Sequence, residues 1–576
     1  MAGPESDRLI RVDMTEQTVS IESFPEEWKL LGGRALSARI LLSECDPSCD
    51  PLGPDNLLVM APGVLTGTAA PTSGRISFGG KSPLTGGIKE TNSGGNPGQH
   101  LMKLGYRAVI VKGKPANSEK RYGLEITAKG AKLVEADALK GLRNYALCEK
   151  LAEQYPKTAS FISIGPAGEL QLGGASVATT DQDNRFPNRH AGRGGMGAVM
   201  GSKGLKYVSI DPGKARLRQA ANAKGFTAFS KQISKDHLDG PRMFKGGTSS
   251  FVGIANSLNC FPYKNRTEGQ SPDVENLEGA RILESFEKRG GRMHNCLTGC
   301  IVQCSNIVHD SKGDYKTSGL EFETLALLGS NCAVGSWEDV AEFDRLCDDI
   351  GLDTIETGAA IAVLMDSGGL EWGDVEGIKR IFEEIAEGTE LGRAVGNGAV
   401  SIGKKRGHKR IPAVKGQAVP AWDPRPLKAT GITYATSPMG ADHTAGLVIN
   451  PGLQSEDFAQ ASQESQLVNA ACDSSGFCQF LQPTLDQIRE CYGLLYGKDV
   501  TRDQIADQGW QCLEDEWEFN RRAGFNAADD DLPECLREEG IGPDHVLKFD
   551  VSPDIIAQTK VRFPVREELF AVKAAG

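Results

Sequence analysis

No apolar run in the 576-residue sequence approaches the roughly 18 residues needed to cross a membrane. Its start, MAGPESDRLIRVDM, has no basic segment leading into an apolar one, so neither a membrane span nor an export signal is expected and a cytoplasmic location is. A basic excess is missing too. The net charge of -12 and the pI near 5.4 oppose binding to a nucleic-acid backbone. The one basic stretch, GKKRGHKR at 403–410, reads as a solvated linker. Repeats of short fixed period and low-complexity tracts are also lacking. With 24% charged and 39% hydrophobic residues, the chain reads as a soluble globular protein of about two to four domains.

What the sequence does have is glycine, 69 residues, and cysteine, 14 residues. AGRGGMGAVMGSKGLKYVSID, 191–211, fits the dinucleotide pattern G-x-G-x-x-G at Gly192, Gly194 and Gly197, with Asp211 further on. That pattern needs a buried strand directly before it, and TTDQDNRFPNRH is too polar for one. NAD is therefore not expected. Gly194 and Gly195 open a helix whose free N–H groups, beside Arg189 and Arg193, suit a phosphate or a close-packed turn.

Of the cysteines, Cys45, Cys49, Cys148, Cys260, Cys332, Cys347, Cys491, Cys512 and Cys535 read as scattered. HNCLTGCIVQCSN is different. Cys296, Cys300 and Cys304, spaced four and four, would share one side of a helix or turn. Such grouped thiols suit zinc or an iron–sulfur cluster, and they need a fourth ligand. A pattern repeated far apart, DDIGLD at 348–353 and DSSGFC at 473–478, reads either as two glycine-capped helix ends or as two similar loops gripping two halves of one ligand. In the second reading Cys478 supplies the fourth thiol and the Asp carboxylates accept from heterocycle N–H groups.

Alternating patterns in RLIRVDM, TVSIESF, NLLVMAPGVL, GRISFGG, RAVIVKG, YGLEITA and ASFISIG predict strands, and WEDVAEFDRLCDDIG, TGAAIAVLMDSGG, IKRIFEEIAEG, DQIRECYGLLYG and CLEDEWEFNRR predict helices. The expected fold is α+β: a β-rich N-terminal domain, 1–210, followed by two mainly helical domains, 211–413 and 414–576.

These features together resemble the aldehyde ferredoxin oxidoreductase family of tungsten, less often molybdenum, bis-pyranopterin enzymes. The likeness runs almost end to end through GGRALSARIL, LTGTAAPTSGR, TNSGGNPG, NRHAGRGGMGAVMGSKGLK, the cysteine cluster, GLEFETLALLGSN, the two D-x-x-G motifs, ATSPMGADHTAG and AGFNAADDDLPE. The resemblance implies a cofactor held between the domains. Arg75, Asn92, Gly94, Arg189, Arg193, Gly194 and Gly195 would face the pterin phosphates and a bridging Mg2+. Asp348, with Asp353 of the same motif, and Asp473 would each serve one pterin. Cys296, Cys300, Cys304 and Cys478 would hold a [4Fe-4S] cluster, although the usual C-x2-C-x3-C spacing carries one inserted residue here. Glu323, rather than Glu321, and His443 would do the acid–base work. The implied activity is oxidation of an aldehyde to a carboxylic acid, with electrons passing to ferredoxin or an iron–sulfur partner subunit, in a homodimer or hetero-oligomer. Two alternatives are 2-hydroxy or 2-oxo acids as substrates, and a non-catalytic four-cysteine zinc or iron–sulfur scaffold.

Overall fold

The computed structural model describes residues 7–567. Twelve strands build the N-terminal part: β1 (Arg8–Asp13), β2 (Thr18–Ser23), β3 (Leu58–Pro62), β4 (Ile76–Lys81), β5 (Ile88–Ser93), β6 (Tyr106–Lys112), β7 (Tyr122–Thr127), β8 (Gly130–Glu135), β9 (Ser160–Ser163), β10 (Val177–Thr179), β11 (Arg189–Ala191) and β12 (Leu205–Asp211). They form two six-stranded sheets, ordered β2-β1-β6-β3-β4-β5 and β8-β7-β12-β9-β10-β11.

The second order is the first advanced by six strands. The pairings agree as well: β1 with β6 and β7 with β12 are parallel, and all the others are antiparallel. Helices fall at matching points, Gly33–Glu44 before β3 and Asn144–Gln154 before β9, then Pro97–Lys103 before β6 and Met196–Ser202 before β12. The N-terminal part is therefore a structural duplication, which no short-period repeat in the sequence announces.

Period-two alternation explains how the halves pack. Ile10, Val12, Met60 and Val109 of one sheet share a core with Ile126, Ile162, Val208 and Ile210 of the other. The opposite faces take helices. Leu9, Val59 and Ile110 pack with Leu36, Ile40 and Leu41 of Gly33–Glu44, and Phe161 and Tyr207 pack with Leu147 and Leu151 of Asn144–Gln154. Two sheets are thus sandwiched between helical layers.

Beyond β12 the chain is mainly helical, as expected. Ser336 caps Trp337–Ile350 by accepting from Asp339 N–H, and Gly351 ends it in the left-handed region. Val375–Glu387 and Leu485–Tyr496 end likewise at Gly388 and Gly497. Two small sheets interrupt this region among the described residues: the two-stranded ribbon Ala413–Val414 with Gln417–Ala418, and a three-stranded sheet of β13 (Arg292–His294), β14 (Ser305–His309) and β15 (Tyr315–Ser318), with the cysteine cluster in the β13–β14 connection.

Two expectations need correction. The glycine stretch does follow a strand, because β11 includes Arg189–Ala191 and buries both ends. It is a short antiparallel edge strand, with Arg189 and His190 bonded to distant side chains, and it is not the parallel strand of a dinucleotide site. The basic stretch 403–410 is not a free linker. It ends the helix Ala399–Arg406, and its side chains are pinned by Lys405–Glu390, His408–Asp366 (2.9 Å) and Arg410–Glu539 (2.7 Å) ion pairs.

Candidate active site

The cysteine cluster is a turn, not a helix. Gly299 and Gln303 take positive φ, and Cys300 N–H donates to Leu297 O, which folds the connection back on itself. Thr72, itself at φ 57°, ties it to the fourth cysteine. Its N–H donates to Gly299 O (3.0 Å), its Oγ1 accepts from Ile301 N–H (3.1 Å), and its carbonyl accepts from Cys478 N–H (3.0 Å). Gly95 N–H meets Cys296 O from the other side (2.9 Å), and a Cβ at Gly94 would stand 3.2 Å from Cys296 Sγ. The structure thus brings Cys296, Cys300, Cys304, Cys478 and Gly94 together. Cys300, Cys304 and Cys478 are buried. Burial and neighbouring thiols push Cys478 up, and Cys304 goes up from burial, Glu321 and the thiols. Among the described residues no three His, Cys, Asp or Glu side chains converge closely enough to form a site for a single metal ion.

Beside Cys478 lies a buried polar corner. Arg75 reaches Cys478 Sγ with Nη1 (3.9 Å) and Asn92 with Nε and Nη2, while Asn92 Nδ2 donates to Asp473 Oδ1 (3.3 Å). Arg34 makes a two-point pair with Glu516 (2.8 Å each) and stands 3.8 Å from Asp473. Asp473 and the buried Glu90 both feel the charges of Arg34 and Arg75, while Glu516 pairs with Arg34. Burial first and Glu90 second raise Asp473, against the pull of the two arginines.

A second corner holds the expected acid–base pair. Glu323 lies on the short helix Phe322–Thr324, which widens into a π-helical turn, Leu325–Gly329, a feature common at functional sites. Its Oε2 accepts from Ala421 N–H (2.7 Å), and its Oε1 faces His443 Nδ1 at 4.0 Å. Both facing atoms are buried and neither has a hydrogen-bond partner. Glu321 is used elsewhere, accepting from Thr248 Oγ1. His443 is presented by a turn that Asp442 shapes, since Asp442 Oδ1 accepts from Thr444 N–H (3.0 Å) and Oγ1 (2.8 Å). Asp442 is paired with the fully buried Lys89 of β5.

The remaining candidates divide. Arg189 directs Nη1 to Ser305 Oγ (2.7 Å) and Nη2 to Ser318 Oγ (2.6 Å), leaving Nε buried without a partner. Arg193 donates to the carbonyls of Ala441 and Ala418 (2.6 Å each) and approaches Asp353 (3.5 Å). Asp353 caps Thr354–Asp366 through the N–H groups of Ile355 and Glu356. Gly194 and Gly195, both at positive φ, allow close approach: a Cβ would lie 2.4 Å from Lys89 Cγ at the first and 2.7 Å from Gly173 O at the second. Asp348 contacts His190 (3.1 Å) and Tyr145 (3.4 Å), not Asp473.

The two D-x-x-G motifs nevertheless occupy equivalent places. Both are helix ends capped by left-handed glycine, Gly351 and Gly476. Gly63, just after β3, would clash through a Cβ with Gly476 and Ser475, and Gly165, just after β9, would clash with Ile350. Strands β3 and β9 correspond in the duplication, so each half of the N-terminal part docks one motif.

Lys89, Asp442, Thr72, Arg34 and Glu516 were not legible as site residues. Thr72 and Asp442 fall within TSGR and GADHTAG, Arg34 falls within GGRALSARIL, and Lys89 lies two residues before TNSGG, so the motifs mark their neighbourhood but not their roles.

The family model described as the aldehyde ferredoxin oxidoreductase N-terminal domain matches residues 9–232, and that for its domains 2 and 3 matches 226–554. The tungsten-containing aldehyde ferredoxin oxidoreductase of Pyrococcus furiosus is 31% identical over 92% of this chain and 91% of its own length. That of Thermococcus kodakarensis is 31% identical over 94% of each. The WOR-like subunit of an aliphatic sulfonate oxidoreductase from Pyrococcus furiosus is 28% identical over 87% of this chain and 83% of its own. The active-site complex BamBC of benzoyl coenzyme A reductase with 1,5-dienoyl-CoA superposes with a TM-score of 0.82 over 97% of this chain and 94% of that chain, and at 17% identity it shows a shared fold alone. No helix among the described residues is long and apolar enough to cross a membrane. This chain belongs to the aldehyde ferredoxin oxidoreductase family.

Proposed function

We propose that the chain is an oxidoreductase that converts aldehydes to carboxylic acids with a tungsten (or molybdenum) bis-pyranopterin and a [4Fe-4S] cluster. The observation that carries the reading is the pair Glu323 Oε1 and His443 Nδ1, buried, unpartnered and facing each other at 4.0 Å. Buried polar atoms are seldom left unpaired unless a ligand completes them. The rest of the site fits the cofactor set: four grouped thiols, a partner-free Arg189 Nε, and two D-x-x-G helix ends docked equivalently on two halves, as a ligand of two similar halves would need. The names of the relatives supply tungsten.

Cys296, Cys300, Cys304 and Cys478 would hold the cluster, and Asp348 and Asp473 would each meet one pterin. When bound, the metal–pterin would supply a Lewis acid and a two-electron acceptor, and the cluster would supply a one-electron route toward ferredoxin or an iron–sulfur partner. His443 hydrogen-bonds the carbonyl oxygen and orients the substrate. Glu323, held through Oε2 by Ala421 N–H, takes a proton at Oε1 from the attacking water or hydrated aldehyde. Phe322 and Trp422, the chain neighbours of Glu323 and Ala421, pack against each other with ring centroids 4.9 Å apart.

The test combines metal content per chain with viologen-linked turnover of aldehydes and of 2-oxo acids. Tungsten or molybdenum with iron, and aldehyde turnover that falls by about 10²–10⁴ in Glu323→Gln at unchanged metal content, are expected. Zinc with neither heavy metal would sink the reading, and near-normal turnover of the variant would remove Glu323 as the base.

A further inference from the structure

Cys45 and Cys49, which read as scattered in the sequence, are neighbours: their Sγ atoms lie 3.9 Å apart. Cys45 ends the helix Gly33–Glu44 and is 5% exposed, whereas Cys49 is half-buried. The chain between them is a fixed turn. Cys49 N–H donates to Asp46 O (3.0 Å), and Asp46 Oδ1 accepts from Ser48 N–H (2.9 Å) and Oγ (2.8 Å). Two buried lysines lie beneath it. Lys81 Nζ donates to the carbonyls of Pro47 (2.6 Å) and Cys49 (2.8 Å), and Lys203 Nζ donates to Gly53 O (2.9 Å). The Cys45 S–H and then Lys81 lower the Cys49 pKa, against burial and the carboxylate of Asp46. One thiol is thus partly exposed, close to buried lysines, and the other is buried beside it. This is the arrangement of an attacking and a resolving cysteine.

We propose that Cys45 and Cys49 form a reversible dithiol–disulfide site that reacts with small-molecule disulfides. The Cys49 thiolate attacks one sulfur of R–S–S–R, forming Cys49–S–S–R and releasing the first RS⁻. The Cys45 thiol, as it loses its proton, attacks the Cys49 sulfur and releases the second RS⁻. The protein dithiol gives up two electrons, the small disulfide is reduced to two RSH, and the two protein protons end on the released thiols. Bonding requires the sulfurs to approach by about 2 Å, within reach of side-chain rotation. The helix that Cys45 ends begins at Gly33, whose added Cβ would strike Asp473 O, and Arg34 beside it faces the Asp473 carboxylate. The dithiol therefore lies one helix length, about 18 Å, from the polar corner of the active site.

The test uses the full chain, purified without oxygen, exposed to oxidised glutathione, alkylated and cleaved with trypsin. The peptide 40–75 contains Cys45 and Cys49 and no other cysteine. The expected result is that this peptide loses its alkyl labels and two hydrogens, and that dithiothreitol restores both labels. Cys45→Ala is expected to accumulate the glutathione adduct on Cys49, and Cys49→Ser to form none on Cys45. Two fully alkylated thiols in the wild-type peptide, a stable glutathione adduct on it, or a disulfide from either residue to a different cysteine each overturn the proposal. The wild-type peptide decides even where a variant fails to fold.

Discussion

Replacing Lys89 by methionine removes a charge while keeping most of the stem. The Lys89 side chain is fully buried and its partner Asp442 is 1% exposed, so the pair is shielded from solvent. Breaking a buried pair typically costs about 3–5 kcal/mol, because the surviving charge has no partner. Asp442 would keep the Thr444 N–H (3.0 Å), the Thr444 hydroxyl (2.8 Å) and Gln417 Nε2 (3.4 Å). That places the expected cost near the lower end, about 3 kcal/mol. Adding Asp442→Asn removes the stranded charge and leaves an acceptor for Thr444, so the double variant is expected to recover about 1–3 kcal/mol of the summed losses. Burial alone raises Asp442, but Lys89 and Arg193 outweigh it and hold the carboxyl below the usual range. A depressed acid contributes stability that is present above its unfolded pKa, about 3.9, and is lost only as pH falls below that. The coupling is therefore expected to be constant between about pH 5 and 8. The assay is a double-mutant cycle on unfolding midpoints of the full chain. Additivity within about 0.5 kcal/mol would refute the argument, since it would mean that the two residues act independently.

His100 is mostly buried with Nδ1 2.9 Å from Ser160 Oγ, and burial, aided by Lys103, lowers its pKa to about 4. A histidine held neutral contributes stability that is present above the ordinary histidine pKa of about 6.5 and lost as pH falls through about 4, up to about 3 kcal/mol. His100→Gln is expected to flatten the fall in melting temperature over that window, and a slope equal to wild type would refute the assignment. Thr72→Val keeps the shape but removes the acceptor for Ile301 N–H. Faster hydrogen exchange at Ile301, equivalent to about 1–3 kcal/mol of lost protection, is expected, and unchanged exchange would remove the Thr72 hydroxyl as a tie to the cysteine turn, leaving only its backbone bonds to Gly299 and Cys478.

Much of the scaffold was legible because the patterns are local. The strands of RLIRVDM and RAVIVKG carry adjacent apolar residues since each faces the inter-sheet core on one side and a helical layer on the other. β5, IKETNS, was not legible. It is almost wholly buried yet polar, and its Lys89 and Asn92 find partners in Asp442 and Asp473, far away in the chain. The Cys45–Cys49 pair was overlooked for a related reason. A spacing of four joins thiols only when the intervening turn brings them back together, as the Asp46–Ser48 bonds do.

The sequence alone determined the α+β character and the glycine-capped helix ends, because each depends on local pattern, and it set Glu323 and His443 in motifs that each stay contiguous. Tertiary structure alone decided that the N-terminal part is duplicated, that Gly63 and Gly165 receive the two D-x-x-G ends, and that Lys89 neutralises Asp442 behind His443. Those features join residues separated by hundreds of positions. Burial makes an unpaired charge too costly to keep, and only the folded chain shows which distant partner satisfies it.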